Sequence, residues 1–318
     1  MKNSLIRAAM VLSGLMFIVI IIGNVVIVAQ EAVTGTWTAD TRTGKDDKEE
    51  PGKIHLSFER RTGRGHNQNG SSFAYSDLSG LTREQAMSDG RVSFRLVREA
   101  GTIDCEGAFL NGRGSGTFRF TPDMGFVSAM RSRGFDFEKE NGMRRNADDD
   151  DDRETLSDRL LTAAFVNVTT ALADDLNSAN FGKLYVSDLY KAAIFKVDGK
   201  FMAEMKATGF PNLQMEDLVK ARIFKIDADY VRQIHDMGFD NREFESLVKF
   251  RIFKVTPEFL SELKAAGLKD LDSEDIVKCR IFKIDPEFVR KTRAEIPNAT
   301  VEDMVQMKIG VYHKRDNF

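Results

Sequence analysis

The rhythm of apolar and polar positions changes twice along this 318-residue chain. From Ala8 to Ala29 the sequence is apolar for 22 residues, broken only by Ser13, Gly14, Gly23 and Asn24. Coiled as a helix, such a run is about 33 Å long, enough to span the hydrocarbon core of a bilayer. It is longer than the usual core of a cleaved signal peptide. Lys2 and Arg7 precede it and Glu31 follows it. The positive-inside rule then keeps the N-terminus in the cytoplasm and exports the remainder. The leading expectation for residues 1–30 is a single-pass anchor in the cell membrane. Cleavage near Ala29, giving a periplasmic or secreted protein, is the alternative, with Ile27 a poor match to the small residue required there. A buried helix of a soluble domain is the third reading.

From Val33 to Pro122 the period falls to two. In KIHLSFER (53–60), Ile54, Leu56 and Phe58 alternate with His55, Ser57 and Glu59. In RVSFRLVRE (91–99), Val92, Phe94 and Leu96 alternate with Arg91, Ser93 and Arg95. That alternation predicts half-buried strands, and GTWTADT (35–41), SSFAYSD (71–77), TIDCEGAF (102–109) and SGTFRFT (115–121) share the texture. GRGHNQNG (63–70) and NGRGSG (111–116) read as glycine turns between them. They lack the spacing of phosphate-binding loops. Residues 33–122 are therefore expected to form a small antiparallel β sandwich or barrel.

The second change is to helical periodicity with a longer repeat. Ile-Phe-Lys recurs at 194–196, 223–225, 252–254 and 281–283, every 29 residues. The flanks agree: SDLYKAAIFKV, EDLVKARIFKI, ESLVKFRIFKV and EDIVKCRIFKI. DRLLTAAFVNV (158–168) is a degenerate earlier copy, and EDMVQMKIGVY (302–312) is a last copy one residue short of the period. FMAEMKATGF, YVRQIHDMGF and FLSELKAAGL, starting at Phe201, Tyr230 and Phe259, repeat in step, with LADDLNSANF (172–181) upstream. Each unit thus predicts two short helices. The first opens at a capping residue such as Asp272 or Thr300, with Asp275 or Asp303 three positions later. The second starts at Asp198, Asp227, Thr256 or Asp285, with Pro257 and Pro286 suited to a first helical position. Gly209, Gly238 and Gly267 suit left-handed termination of that helix. Nine-residue helices cannot bury their own stripes, so neighbours must stack. The expectation is an α-solenoid of about five hairpins over residues 155–318, with the isoleucine and phenylalanine of each triplet in its core. Residues 123–154 hold an isolated half-copy, FVSAMRSRGF, and the acidic run Asp148–Asp152, read as a solvated linker rather than a calcium loop. The whole reads as a multidomain α+β protein.

Composition narrows the chemistry. Hydrophobic residues make up 42% and charged residues 30%, which suits about two folded domains. A net charge of −3 argues against a general nucleic-acid binder. Two cysteines, Cys105 and Cys279, exclude a disulfide framework and a cysteine zinc module, and a bond between them is not expected. The four histidines, His55, His66, His235 and His313, form no HExxH motif. No nucleophile with a paired base is legible, so no enzyme activity, cofactor or metal site is expected. Asp104 and Glu106 share a strand face, and solvent exposure is the simpler reading than acid–base work.

The candidate binding residues come from the repeats. Arg222, Arg251 and Arg280, with Lys225, Lys254 and Lys283, recur at one position per repeat and would stack into positive ladders. Such ladders suit a protein or peptide partner with carboxylates. Repeat-to-repeat salt bridges are the competing role for the arginines. Lys220, Lys249 and Lys278 stand four residues after Glu216, Glu245 and Glu274 and read as partners within their own helices. A second function class places a small molecule or glycan on the β domain, with Trp37 and His66 at the site and the solenoid as support. For Trp37 a core position is the simpler reading.

The order GTW, RVSFRLVREAGTIDCEGAF, NGRGSGTFRFTPD and then tandem LVK-x-RIFKVTPEFL resembles bacterial extracytoplasmic regions attached to BlaR/MecR-type antirepressor metallopeptidases. The resemblance covers about 35–318, with Val255–Phe259 and 91–122 its most specific parts. It implies a sensing or interaction region on the export side. The peptidase motif and its multi-span domain have no counterpart here. Ser246–Lys249 and Ser261–Lys264 match the acylation spacing S-x-x-K of β-lactam sensors without the accompanying motifs, and covalent sensing is not implied. The sequence therefore predicts a non-enzymatic envelope protein, part of a sensor or regulatory assembly, whose exported helical repeats bind a protein or peptide partner.

Overall fold

A computed structural model describes residues 33–41, 52–62, 65–139, 155–210, 212–239 and 244–311. The anchor expectation at 1–30 and the aspartate run at 148–152 lie outside the described residues. Among the described residues no helix is long and apolar enough to cross a membrane. The fold is α+β, and its described residues form two compact units: one takes those of 33–97, 101–122 and 157–161, the other those of 98–100, 123–156 and 162–311.

The first unit is one curled antiparallel sheet. Its strands are β1 (Val33–Asp40), β2 (Lys53–Thr62), β3 (Gly65–Ala74), β4 (Leu78–Ser79), β5 (Gly90–Arg98), β6 (Gly101–Leu110) and β7 (Arg113–Pro122). They lie in the order β3-β2-β1-β7-β6-β5-β4, so β3 and β4 are edges. Of the two expected forms, sandwich or barrel, the sheet takes the open form of the second, a half-barrel. Its alternating apolar residues meet across the concave face of a single sheet: Trp37, Leu56, Phe94, Leu96, Ile103, Phe109 and Phe120 are all buried. The short helix α1 (Arg83–Met87) opens with a capping box in which Thr82 and Gln85 bond reciprocally.

Two loop expectations need correction. Thr62 pairs with Gly65 and Arg61 with His66, so most of 63–70 is strand β3 rather than a glycine loop. An edge strand needs neither face apolar at every second residue, and the polar GHNQNG run hides it from a period-two reading. Likewise Leu110 pairs with Arg113, which shrinks the 111–116 turn to Asn111 and Gly112.

From residue 156 onward, with the first turns of the first helix grouped with the sheet unit and the rest in the second unit, the helices alternate as the repeat predicts. The first helices are α3 (Leu156–Val166), α5 (Val186–Phe195), α7 (Met215–Phe224), α9 (Phe244–Ile252), α11 (Ser273–Ile281) and α13 (Val301–Ile309). The second helices are α4 (Thr170–Ser178), α6 (Gly199–Lys206), α8 (Ala228–Asp236), α10 (Pro257–Ala265) and α12 (Pro286–Glu295). That makes five hairpins and a closing helix. First helices pack on first helices, α5 on α7 on α9 on α11 on α13. Second helices likewise meet, α4 on α6 and α10 on α12. The isolated half-copy is helix α2 (Met124–Arg131), which packs on α4 and so extends the second row by one member. Arg133 forks onto Asp174 at 2.8 and 3.0 Å, and the Asn177 amide donates to the Arg133 carbonyl at 3.0 Å.

Local chemistry explains the helix ends. Asp198, Asp227, Thr256 and Asp285 each accept a backbone N–H at the third helical position of α6, α8, α10 and α12. Thr300 and Asp303 form the expected capping box. Gly209, Gly238 and Gly267 follow the second helices with φ of +97°, +90° and +113°, as expected.

Candidate functional site

The first helices end in a way that shapes the surface. Asn167, Lys196, Lys225, Lys254 and Lys283, one per repeat, all have φ between +52° and +60°. The next residue turns its N–H back onto the helix: Val197 to Ala192, Ile226 to Ala221, Val255 to Phe250 and Ile284 to Cys279, at 2.8–3.0 Å. This is a Schellman closure with its buried apolar follower. Glycine or asparagine is the usual residue at the left-handed position, because a Cβ there costs roughly 1–2 kcal/mol. The most upstream copy carries asparagine; the next four carry lysine. The four lysine side chains are exposed.

The isoleucine of each triplet corrects the sequence reading. Ile194, Ile223, Ile252 and Ile281 are 52%, 52%, 50% and 47% exposed, and Ile309 of the last copy is 55% exposed. In α7 the buried stripe is Met215, Leu218 and Ala221, and Ile223 stands two residues, or about 200°, beyond it. The same two-residue offset separates Ile252 from Phe250 and Ile281 from Cys279, both fully buried. The triplet phenylalanines, at a different helical angle, are half-buried. Five isoleucines thus form an apolar row outside the core, one per stacked first helix.

The arginines hold the hairpins together. The guanidinium carbon of Arg222 lies 3.8 Å from the Phe201 ring centre, Arg251 3.5 Å from Tyr230, and Arg280 3.6 Å from Phe259. Each ring belongs to the second helix of the preceding hairpin. Lys308 repeats the contact over Phe288 at 4.0 Å. Arg251 also donates from Nη2 to the Lys225 carbonyl at 2.7 Å, and Arg222 lies 3.7 Å from Asp198. Burial pushes the Tyr230 hydroxyl up to about 12 against the opposing pull of Arg251. These three arginines, named above as partner contacts, have their flat faces occupied within the array. The lysines of the ladder do not.

The Glu–Lys pairs also run between repeats. Lys191 bonds Glu216, Lys220 bonds Glu245 at 2.7 Å, and Lys278 reaches Glu302 at 3.3 Å. Only Lys278 adds the within-helix contact the spacing suggested, at 3.7 Å to Glu274. The reason is reach: stacked first helices bring the next repeat's first-turn carboxylate as near as the residue's own.

The alternative site on the sheet is rearranged. Trp37 is fully buried and cannot stack on a ligand. Its indole N–H donates to the Glu106 carbonyl at 3.2 Å, and its ring lies 5.0 Å from Phe94 and 5.8 Å from Phe109. Gly107, Gly114 and Gly116 leave it room: a Cβ on any of them would come within 2.7–2.8 Å of the indole. His66 lies on strand β3, opposite Arg61. Asp104 is bonded by Arg95 at 2.7 Å, while Glu106 is exposed, so the pair faces solvent. Cys105 and Cys279 are both buried free thiols, and burial raises the pKa of each, away from nucleophilic use. A cavity of about 590 Å³ beside α6 and α8 is lined by Thr208, Phe210, Val231, His235 and Phe239. Among the described residues its titratable lining groups are Glu204, Arg232 and His235, all exposed. No family model, curated protein or solved structure matches the chain.

Proposed function

We propose that this is a non-enzymatic envelope protein whose exported helical repeats, an α-solenoid, bind a protein partner. One observation carries the reading: the row of half-exposed isoleucines flanked by lysines held in left-handed backbone. Apolar side chains repeated on an outer face have no role in closing the core, and singly scattered ones would need no explanation. Here they recur at one position of five stacked helices. The export-side location rests on the charge pattern around residues 8–29, and a place in a sensor assembly on the resemblance to BlaR/MecR-associated regions. The arginines serve as staples in this reading, and the lysines and isoleucines are the contact residues. The test is a photo-crosslinking residue at position 252 of the full chain, expressed in its own cells. A discrete crosslinked product, lost when Ile194, Ile223 and Ile281 become serine, is expected. No discrete product at 252, with the chain folded and present, removes the reading.

A further inference from the structure

We propose that the occupant of the isoleucine–lysine row is an extended, acidic segment of another protein, with an apolar side chain at every third position. The inference rests on the binding role just given to that row.

Spacing is the first argument. Equivalent residues on stacked helices repeat at the helix-packing distance, about 8–10 Å. An extended or polyproline-type chain advances about 3.1–3.4 Å per residue, so three residues cover about 9–10 Å. Such a segment can set one apolar side chain beside each of Ile194, Ile223, Ile252 and Ile281 without gaps. A helical ligand advances about 5 Å in three residues and loses the match.

Charge is the second. Lys196, Lys225, Lys254 and Lys283 each stand two residues beyond an isoleucine, exposed, at the helix end. Asp198, Asp227 and Asp285 follow the lysines closely, but each turns an oxygen onto a backbone N–H. Arg222, Arg251 and Arg280 stand just before them, so the row keeps a positive balance. Carboxylates placed between the apolar positions of a ligand would meet the lysines. The lysines are also conformationally costly, and the Asn167 copy shows that the array accepts a residue suited to the left-handed position. Four side chains kept at such positions fit a use outside the fold.

A second copy of the chain and an anionic bilayer are the competing occupants, and the test separates them.

The test uses the full chain and a labelled peptide of repeating Leu-Asp-Glu, about twelve residues long to pass four rungs. A peptide of the same composition with its leucines clustered is the comparison. The spaced peptide is expected to bind at least about tenfold tighter, and more weakly as salt rises. The joint variant K196N/K225N/K254N/K283N is expected to bind at least about tenfold more weakly with its unfolding midpoint unchanged or raised, since asparagine tolerates the left-handed backbone. Equal binding of the two peptides, or full binding by the folded variant, overturns the proposal. So does isoleucine-dependent self-association, or lysine-dependent sedimentation with phosphatidylcholine vesicles containing about one-third phosphatidylserine. A crosslink from position 252 together with no peptide selectivity overturns the acidic occupant alone. Neither crosslink nor binding removes the surface as well.

Discussion

The sheet unit and the helical unit solve the burial problem in opposite ways. In the sheet, one large side chain organises the core, and its surroundings are unique: three glycines from β6 and β7 make room for the Trp37 indole. In the helices, one modest contact is written repeatedly: a cation from a first helix lies over an aromatic ring of the hairpin before it. A unique contact concentrates risk at single positions. A repeated contact spreads it, and it makes any side chain that repeats without packing stand out.

The largest expected effect tests the concentrated side. A Cβ on Gly116 would meet the Glu106 carbonyl at 1.9 Å and the Trp37 nitrogen at 2.7 Å. Gly116→Ala should destabilise the sheet by about 3 kcal/mol. Trp37 is the sole tryptophan, so its fluorescence in a urea titration follows this unit. An unmoved transition would break the contrast.

A smaller effect is expected from the spread side. Arg222→Met, Arg251→Met and Arg280→Met each keep an unbranched chain and lose the stacked cation, at about 1 kcal/mol apiece. Arg251 should cost the most, because it also bonds the Lys225 carbonyl. Helix ellipticity during urea unfolding reads all three. One variant costing several times the others would show that the repeats are not equivalent.

The smallest effect concerns the bridges between first helices. A hydrogen bond from Lys191 is the main cause lowering the Glu216 pKa below its usual value. A carboxylate with a folded pKa below its unfolded one stabilises fully above the unfolded value and loses that contribution as pH falls through the folded one. Glu216→Gln should therefore cost at most about 0.5 kcal/mol near neutrality, since the pair is largely exposed. The difference should vanish below the carboxylate range. A cost that persists in acid would mean that packing, rather than charge, is lost.

Much of the helical unit was legible because repetition filters noise. The caps at Asp198, Asp227, Thr256 and Asp285 and the terminating glycines declare themselves by position as well as type. Two features escaped. Residue type alone puts the isoleucines in the core, although their offset of two from the buried alanine or cysteine already sets their helical angle. The arginines taken singly suggest free cations, although Phe201, Tyr230 and Phe259 recur in step with them. In the sheet, strands with an apolar face are visible, but of β3 only residues 71–74 are, because its glycine- and asparagine-rich first half has no alternation to show. Closure of the sheet depended on which strands pair, and β1 beside β7 is a long-range fact that no local pattern holds. For the candidate site, the lysines were legible by position. Their left-handed backbone was not, because lysine is a poor marker for a conformation that glycine usually announces.

The hairpins also differ from the sheet in how such a chain can change length. Each block of 29 residues carries its own caps, its own closure and both halves of the contact to its neighbours. An in-frame duplication or loss of one block re-creates the same junction, whereas any cut through the sheet destroys a pairing. Copy number is thus open to gradual heritable variation. The reach of the isoleucine row along an extended ligand would lengthen or shorten by one step with each event, without any new residue being invented.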